Sequence, residues 1–375
     1  MKNLLLLTAL LMYNFCIAQS NKKTTDEEKL TKCIVENANY FVFNQQKPTG
    51  KGWDILENLF AENQFVAWGE YHNSPLLSQL TCYALESASK NGYKTWCIET
   101  SPFIASELAV FSKLKNPSDT ILKIAEKYGI PFFRTKEDAL MLASANKFNF
   151  SIWGLDQEFQ ATFPYCISKV FNSQPTKIKE KYKAVYDSLF AHWWWPSKNL
   201  IDSLDRGITQ VKYKSLLNDV KIGKQQMEVD DNILRASIMK SNFYNYYDKS
   251  KTKNEKAFFK MGSNHLARGL NLQTNLYDIG NAVFELSQRN KTNFSNVFLM
   301  VRYTEDKGVI TDDMLETKNQ YPKVFSKLYD KDKWVLVDIR SLRQRMRKDN
   351  SLTIDTYQII EKYDYVLISP EILKE

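Results

Sequence analysis

Short apolar segments alternate with amphipathic helical segments along this chain, and this alternation constrains the fold more than any other feature. Residues 64–70 and 94–99 predict two buried strands. The helix between them begins at Ser74-Pro75 and ends at Asn91-Gly92. A strand, a helix and a second strand in this order predict a right-handed crossover between parallel strands. Further strands are predicted at 148–154, 256–261, 296–303, 334–339 and 363–369. We therefore expect an α/β fold with a mostly parallel central sheet flanked by helices.

The first residues predict an export signal. Met1-Lys2-Asn3 gives a charged start, and the apolar run from Leu4 to Met12 is too short to span a bilayer. Small residues near the end of this segment place the cleavage after Ala18, so residues 1–18 form the predicted signal peptide. Lipid attachment at Cys16 is the competing interpretation, which the bulky residues before it disfavour. The protein is expected to be exported, either periplasmic or secreted.

The rest of the chain predicts one domain. Residues 19–45 are polar and Lys-rich, which predicts a flexible lead-in, and residues 46–375 carry the α/β pattern. A large helical insertion is predicted at about 160–250. Its aromatic run from His192 to Pro196 indicates packing on the sheet or, alternatively, the wall of a ligand cleft.

Charge and composition narrow the class of partner. The formal net charge is +8, from 51 Lys and Arg against 43 Asp and Glu, and the basic residues are spread along the chain. Without a basic stripe or a recognisable binding motif, nucleic acid is not an expected partner. No later apolar run reaches the length of a transmembrane helix. The four cysteines after Ala18 match no zinc spacing and are expected to be buried, although a disulfide stays open.

The ionisable residues that follow the predicted strands carry the main functional argument. Carboxyl ends of parallel strands form the ligand crevice of an α/β sheet. The predicted strands deliver five such residues to that edge: Glu70, His72, Glu99, Asp156 and His265. A site is therefore predicted there.

The same short pattern, Gly-x-x-His, occurs just past two of these strands. It spans Gly69–His72 and Gly262–His265, and the whole chain has only 3 histidines. A glycine permits the sharp turn that presents the following side chain. One such pattern is weak, since a lone histidine is most often structural, but two of them beside a carboxylate indicate a functional site.

Several segments together resemble the erythromycin esterase-like proteins. The first are Gly69–His72 before a Leu-rich helix, Ile98–Ser101, Gly154–Asp156, and Arg235 with its helix. The strand leading into Asn264-His265 and the closing segments Trp334–Arg340 and Tyr363–Ile368 extend the resemblance over most of the chain. The wider superfamily includes the TraB and TIKI-type proteases and the ChaN-type haem-binding proteins. The esterases tend to carry His-Asn-x-His where this chain has Gly262–His265, so the second motif is more similar to the TraB and TIKI pattern.

The hypothesis that follows is ester, lactone or amide hydrolysis by an activated water, because no Gly-x-Ser-x-Gly nucleophile motif is present. His72 would act as the base, with Glu70 or Glu99 orienting it, and His265 would donate a proton or polarise the carbonyl. Arg235 would hold a substrate carboxylate or the oxyanion, or would pair with the carboxylates. Three further residues are expected to contact a small-molecule or peptide substrate: Tyr71, Asp156 and Asn264.

Two other functions stay open. In a metal-dependent peptidase of the TraB and TIKI type, His72, His265 and Glu99 would bind a divalent ion such as Mn or Zn. In a ChaN-like binding protein, the ligand would be haem or another planar molecule, with Tyr71 as a candidate iron ligand. An inactive descendant with a role in interaction is a third alternative.

Overall fold

The computed structural model describes residues 28–44, 47–192, 196–250, 252, 254–306, 309–312, 321–346 and 354–370. Nine strands form one sheet in the order β2-β1-β10-β11-β7-β3-β6-β4-β5, and β8 and β9 form a separate antiparallel pair. The strands are β1 (Ala38–Asn44), β2 (Lys47–Thr49), β3 (Phe65–Glu70), β4 (Thr95–Ile98), β5 (Ser151–Gly154), β6 (Ala257–Gly262), β7 (Phe294–Met300), β8 (Tyr303–Asp306), β9 (Val309–Asp312), β10 (Trp334–Asp338) and β11 (Tyr365–Ile368).

Helices cover the sheet and fill the long connection between β5 and β6. The helices are α1 (28–36), α2 (Lys51–Glu62), α3 (Pro75–Lys90), α4 (Pro102–Phe111), α5 (Pro117–Tyr128), α6 (Lys136–Lys147), α7 (Phe163–Asn172), α8 (Thr176–Ala191), α9 (Lys198–Gly207), α10 (Val211–Val229), α11 (Asn232–Tyr247), α12 (Ser263–Leu266), α13 (Ile279–Asn290), α14 (Lys323–Ser326), α15 (Leu342–Met346) and α16 (Ile354–Lys362). A short 3-10 turn, Gln160–Thr162, precedes α7.

The centre of the sheet is parallel, as the sequence predicts. Each neighbouring pair from β11 through β7, β3, β6 and β4 to β5 is parallel, whereas β10, β1 and β2 pair antiparallel at one edge. Every residue of β3 and β6 is buried, because helices pack on both faces of a parallel sheet. The register pairs Glu70 with Gly262, so the two Gly-x-x-His segments leave the sheet side by side.

The predicted lead-in ends earlier than expected. Residues 28–36 are helical, and Ala38–Asn44 forms β1, which pairs with β10. Ile34 and Phe41 are buried in the core. The polar, Lys-rich surroundings mask the strand, because Phe41 is its one fully buried residue.

The predicted helical insertion corresponds to α7–α11. The signal peptide predicted for residues 1–18 and the tryptophans Trp193–Trp195 lie outside the described residues. Over the part of the chain that the structure describes, no helix is long and apolar enough to cross a membrane. The four cysteines after Ala18 carry free thiols, with Cys97 and Cys166 buried and the other two partly buried.

Candidate functional site

Four neighbouring strands of the parallel sheet place the site residues at one edge. Glu70 is the last residue of β3, and Glu99 follows β4 directly. Asp156 lies two residues after β5, and His265 lies on α12, which begins directly after β6. These strands are adjacent in the sheet and parallel, so their carboxyl ends meet. Residues far apart in sequence therefore converge on one buried cluster.

Glu99 is the centre of this cluster. Its Oε1 atom lies 2.8 Å from Arg235 Nη2 and 3.4 Å from His265 Nε2. Its Oε2 atom accepts a hydrogen bond from the Gly262 N–H at 2.6 Å and lies 3.4 Å from His72 Nε2. The side chain is only 5% exposed. One buried carboxylate thus faces both imidazoles and a guanidinium.

His72 is held from its other ring nitrogen by a second carboxylate. His72 Nδ1 lies 3.1 Å from Glu70 Oε1, and Glu70 Oε2 lies 2.6 Å from the ammonium of Lys260. Lys260 and Glu70 are both buried, whereas 25% of the His72 side chain is exposed. His72 is therefore the imidazole of the pair that is more open to solvent.

His265 has a matching arrangement with Asp278. His265 Nδ1 lies 2.8 Å from Asp278 Oδ2, and Asp278 Oδ1 accepts a hydrogen bond from the backbone N–H of Ile279 at 2.7 Å. Asp278 is the N-cap of α13, so the helix terminus fixes its position. The His265 side chain is 8% exposed. Each imidazole is therefore oriented by its own carboxylate, and both share Glu99.

Arg235 on α11 joins two of the carboxylates. Besides Glu99, its Nη2 and Nε atoms contact the two oxygens of Asp156 at 2.5 and 3.2 Å. Asn242, two turns further along α11, donates to the Leu155 carbonyl at 2.9 Å and holds the segment after β5 against the helix. Asp156 is completely buried behind Arg235. Asp156, which was expected to contact the substrate, therefore contacts Arg235 instead.

The charges of the cluster shift its pKa values strongly. Burial lowers the pKa of an imidazole, but the carboxylates outweigh burial: Glu99 and Glu70 raise the pKa of His72 to about 9. Glu99 and Asp278 likewise raise the pKa of His265 to about 10. Burial raises the pKa of a carboxyl, yet His265 and His72 hold the pKa of Glu99 well below its ordinary value. Lys260 and His72 lower the pKa of Glu70 in the same way.

Tyr71 and Asn264, the other two residues expected to contact substrate, lie at the margin of this cluster. The Tyr71 side chain is 41% exposed, and its ring packs edge-on against Tyr321 at 6.2 Å. Asn264 Oδ1 accepts a hydrogen bond from the Gln273 N–H at 2.8 Å. Asn264 therefore stabilises the loop that leads to α13.

The donor set does not suit a metal ion. Glu99 uses one oxygen for Arg235 and the other for the Gly262 N–H. A guanidinium at the central carboxylate adds positive charge where a cation would bind. Among the residues that the structure describes, no group of three or more His, Cys, Asp or Glu side chains is arranged to hold a metal ion.

Gly262 permits this close packing. A Cβ atom at this position would lie 3.0 Å from Glu99 Oε2 and 3.1 Å from His72 Nε2. Next to the Glu70 and Glu99 carboxylates, a cavity of about 10 Å³ is lined by their side chains, by Lys260 and by apolar residues. Its size corresponds to one water molecule. A residue larger than glycine at position 262 would therefore crowd the Glu99 carboxylate and the His72 imidazole.

Sequence reasoning missed Lys260, Asp278 and Phe132. Lys260 had a signal, because a lysine inside the apolar strand Ala257–Gly262 must be paired when it is buried. For Asp278, the sequence contained no signal of a role in the site beyond its position as a helix N-cap. Phe132, whose ring lies against His72 with a centroid distance of 3.9 Å, follows from tertiary packing alone.

Comparison with known proteins identifies the fold. Neither the protein-family models nor the curated proteins gave a match. Among solved structures, the chain is similar to an erythromycin esterase mutant in its open conformation, with TM-score 0.56 and 11% identity over 90% of this chain and 98% of that chain. It is also similar to a succinoglycan biosynthesis protein, with TM-score 0.56 and 13% identity over 92% and 97% of the two chains. A Bacillus cereus protein gives TM-score 0.51 and 13% identity over 93% and 97%.

These similarities confirm the predicted fold. The chain has the erythromycin esterase-like α/β fold over nearly its whole described length. Identities of this size concern the fold alone, so the chemistry has to be argued from the site itself.

Proposed function

We propose that this protein is a hydrolase that cleaves an ester, lactone or amide bond with a water activated by His72. The observation that carries the proposal is the pair of imidazoles facing the two oxygens of Glu99, each with its own carboxylate on Nδ1. Two imidazoles that differ in exposure, 25% for His72 against 8% for His265, can divide the roles of base and acid. The fold similarity to an esterase is consistent with this reaction class.

His72 is the proposed base. It is the more exposed of the two imidazoles, so it is within reach of solvent and of an attacking water, and its pKa of about 9 leaves a neutral fraction in mildly alkaline solution. Neutral His72 would accept a proton at Nε2 from water as the water oxygen attacks the carbonyl carbon. Glu70, held ionised by Lys260, keeps the Nδ1–H in place and stabilises the imidazolium that forms.

His265 is the proposed acid. Glu99 and Asp278 raise its pKa to about 10, so it carries a proton at neutral pH. When the tetrahedral intermediate collapses, the bond from the carbonyl carbon to the leaving oxygen or nitrogen breaks, and the His265 Nε2 proton moves to that atom. Asp278 holds the other side of the ring and favours its charged form.

Arg235 is the proposed electrostatic partner of the substrate. Its side chain is 21% exposed, although it also contacts Glu99 and Asp156. A guanidinium has donors in a planar fork and can contact an oxyanion while it keeps a carboxylate. It would therefore bind the developing negative charge or a substrate carboxylate.

We also propose that the protein acts outside the cytoplasm, after cleavage behind Ala18. The charged start and the short apolar run support export. Sequencing the amino terminus of protein recovered from the periplasm or medium tests this proposal. A terminus at Gln19 is expected, and an uncut chain in the cytoplasm would refute it.

The decisive test compares residues 19–375 with a His265→Asn variant on a panel of esters, lactones and short peptides, with manganese or with a chelator. The matched control is His192→Asn, because His192 is exposed at the end of α8, outside the cluster. Turnover is expected in the wild type and the control under both conditions, with a loss of about 10²–10⁴-fold in His265→Asn. Turnover unchanged in His265→Asn, or an absence of turnover on the whole panel, would refute the proposal.

A further inference from the structure

Two phenylalanines bridge the proposed base and Arg235. The Phe132 ring lies over His72, with ring centroids 3.9 Å apart and planes inclined by 31°. Phe159 meets the Phe132 ring edge-on at 6.2 Å, and the Arg235 guanidinium lies 5.4 Å from the Phe159 centroid. We call Phe132 and Phe159 the aromatic wall. The wall runs from His72 to Arg235, beside the charged cluster.

The backbone of Phe132 is unusual for an aromatic residue. Its φ is +63°, and it follows Pro131 in a turn before α6. When the two central residues of a turn are a proline followed by a residue with positive φ, the second is normally glycine or asparagine, because a bulky side chain is unfavourable there. Such strain persists where the surroundings enforce it, and it is concentrated at functional sites. A glycine would form this turn with less backbone strain. We therefore infer that the phenyl ring of Phe132, and not the turn itself, is what this position requires.

The aromatic wall has apolar surface left over for a ligand. Both rings are only partly buried, although they adjoin a cluster of ion pairs. A phenyl ring neither donates nor accepts a proton, so the wall takes no part in the acid–base steps. Its free surface would be covered favourably by an apolar group that comes with the substrate.

We propose that the aromatic wall is an apolar subsite that binds the acyl chain of the substrate. A carbonyl between His72 and Arg235 whose leaving group lies at His265, the proposed acid, would have its acyl chain next to these two rings. The preferred substrates are therefore esters or amides of acids with an apolar chain. The reaction rests on the proposed function, whereas the binding of the acyl chain can be measured without turnover.

The experiment measures how tightly the protein binds butyrate, hexanoate and octanoate. These carboxylates resemble the acid product, with the carboxylate at Arg235 and the chain along the wall. Imidazole NMR signals report binding, because the chain has only 3 histidines. Affinity is expected to rise by up to about fourfold for each methylene that becomes buried.

The test variant is Phe132→Gly, and its matched control is Asn149→Gly. Asn149 also has positive φ, +59°, but it is exposed in the turn between α6 and β5. Glycine relieves backbone strain at both positions, while only the first change removes a ring from the wall. Loss of the ring-current shift on His72, with the His265 signal unchanged, shows that Phe132→Gly stays folded and lacks the ring.

The expected result is an affinity that rises with chain length in the wild type and in Asn149→Gly, and that is nearly independent of chain length in Phe132→Gly. Equal affinities for the three acids in the wild type would overturn the subsite. Retention of the full chain-length dependence in Phe132→Gly would overturn it as well. A protein that binds the acids in this way but hydrolyses no ester would refute the proposed reaction and leave the subsite in place.

Discussion

Replacing Lys260 by methionine should destabilise the protein far more than the loss of an ordinary surface charge. Lys260 lies within β6, with its ammonium 2.6 Å from Glu70 Oε2, and both side chains are less than 10% exposed. At this distance the attraction is roughly 6 kcal/mol for an effective dielectric constant of about 20. Desolvation cancels part of it, and removal of one partner from a buried pair costs about 3–5 kcal/mol, because the other charge stays buried.

A double-mutant cycle separates the pair from its surroundings. Lys260→Met keeps most of the side-chain volume, and Glu70→Gln keeps the shape of the carboxylate. Urea unfolding of the wild type, both single variants and the double variant should give a coupling free energy of about 2–3 kcal/mol. The control cycle uses Lys90 and Glu86, an exposed pair on α3 with 2.8 Å between Nζ and Oε1, where about 0.3–0.5 kcal/mol is expected. A coupling for Lys260 and Glu70 no larger than that of the control would refute the reasoning.

Two further predictions concern ionisation and packing. Protonated His72 and His265 stabilise the fold fully below their unfolded pKa of about 6.5, and this stabilisation is lost as the pH rises through their folded values of about 9 and 10. The free energy of unfolding of the wild type should therefore fall between pH 7 and 10, and it should fall less in a variant with asparagine at both positions. Over the same range kcat/KM should rise toward pH 9. Parallel curves of unfolding free energy against pH for the wild type and the variant would contradict the predicted linkage. Gly262→Ala places a Cβ 3.0 Å from Glu99 Oε2 and should reduce kcat/KM by at least about 10-fold. The control is Gly92→Ala, where φ is +83° and the added Cβ meets open space, so it should lower the free energy of unfolding and leave kcat/KM unchanged. Equal activity in the two alanine variants would show that Gly262 does not control the site.

The parallel part of the fold was predictable because its strands are continuous apolar runs. Residues 64–70 and 256–261 predict β3 and β6 to within a residue at each end. The segment Ala38–Asn44 was not recognised, since Phe41 is its one fully buried residue and it lies in a polar, Lys-rich region. Strands that are buried throughout can therefore be predicted from the sequence, whereas a partly exposed strand depends on the partners with which it pairs.

The cluster itself was predictable to a similar degree. Strand topology alone places Glu70, Glu99 and His265 at one edge, and the structure brings them together with His72. Their catalytic roles stay predictions. The partner of His265 could not be predicted, because Asp278 has one oxygen that caps α13 and a second whose contact depends on how α12 and α13 pack.

The charge balance of the cluster links its stability to its chemistry. Four buried carboxylates face two permanent cations, Lys260 and Arg235, and two imidazoles, so the cluster is neutral only while both imidazoles are protonated. Loss of the His72 proton leaves an uncompensated negative charge in a poorly solvated place, which is why the pKa of His72 is high. In the proposed reaction, neutral His72 recovers its proton from the attacking water. That transfer restores the balance of the cluster while the new negative charge develops on the oxyanion near Arg235. The ion pairs that hold His72 protonated at neutral pH therefore also make it a strong base once it is neutral, and the reaction should be fastest in mildly alkaline solution.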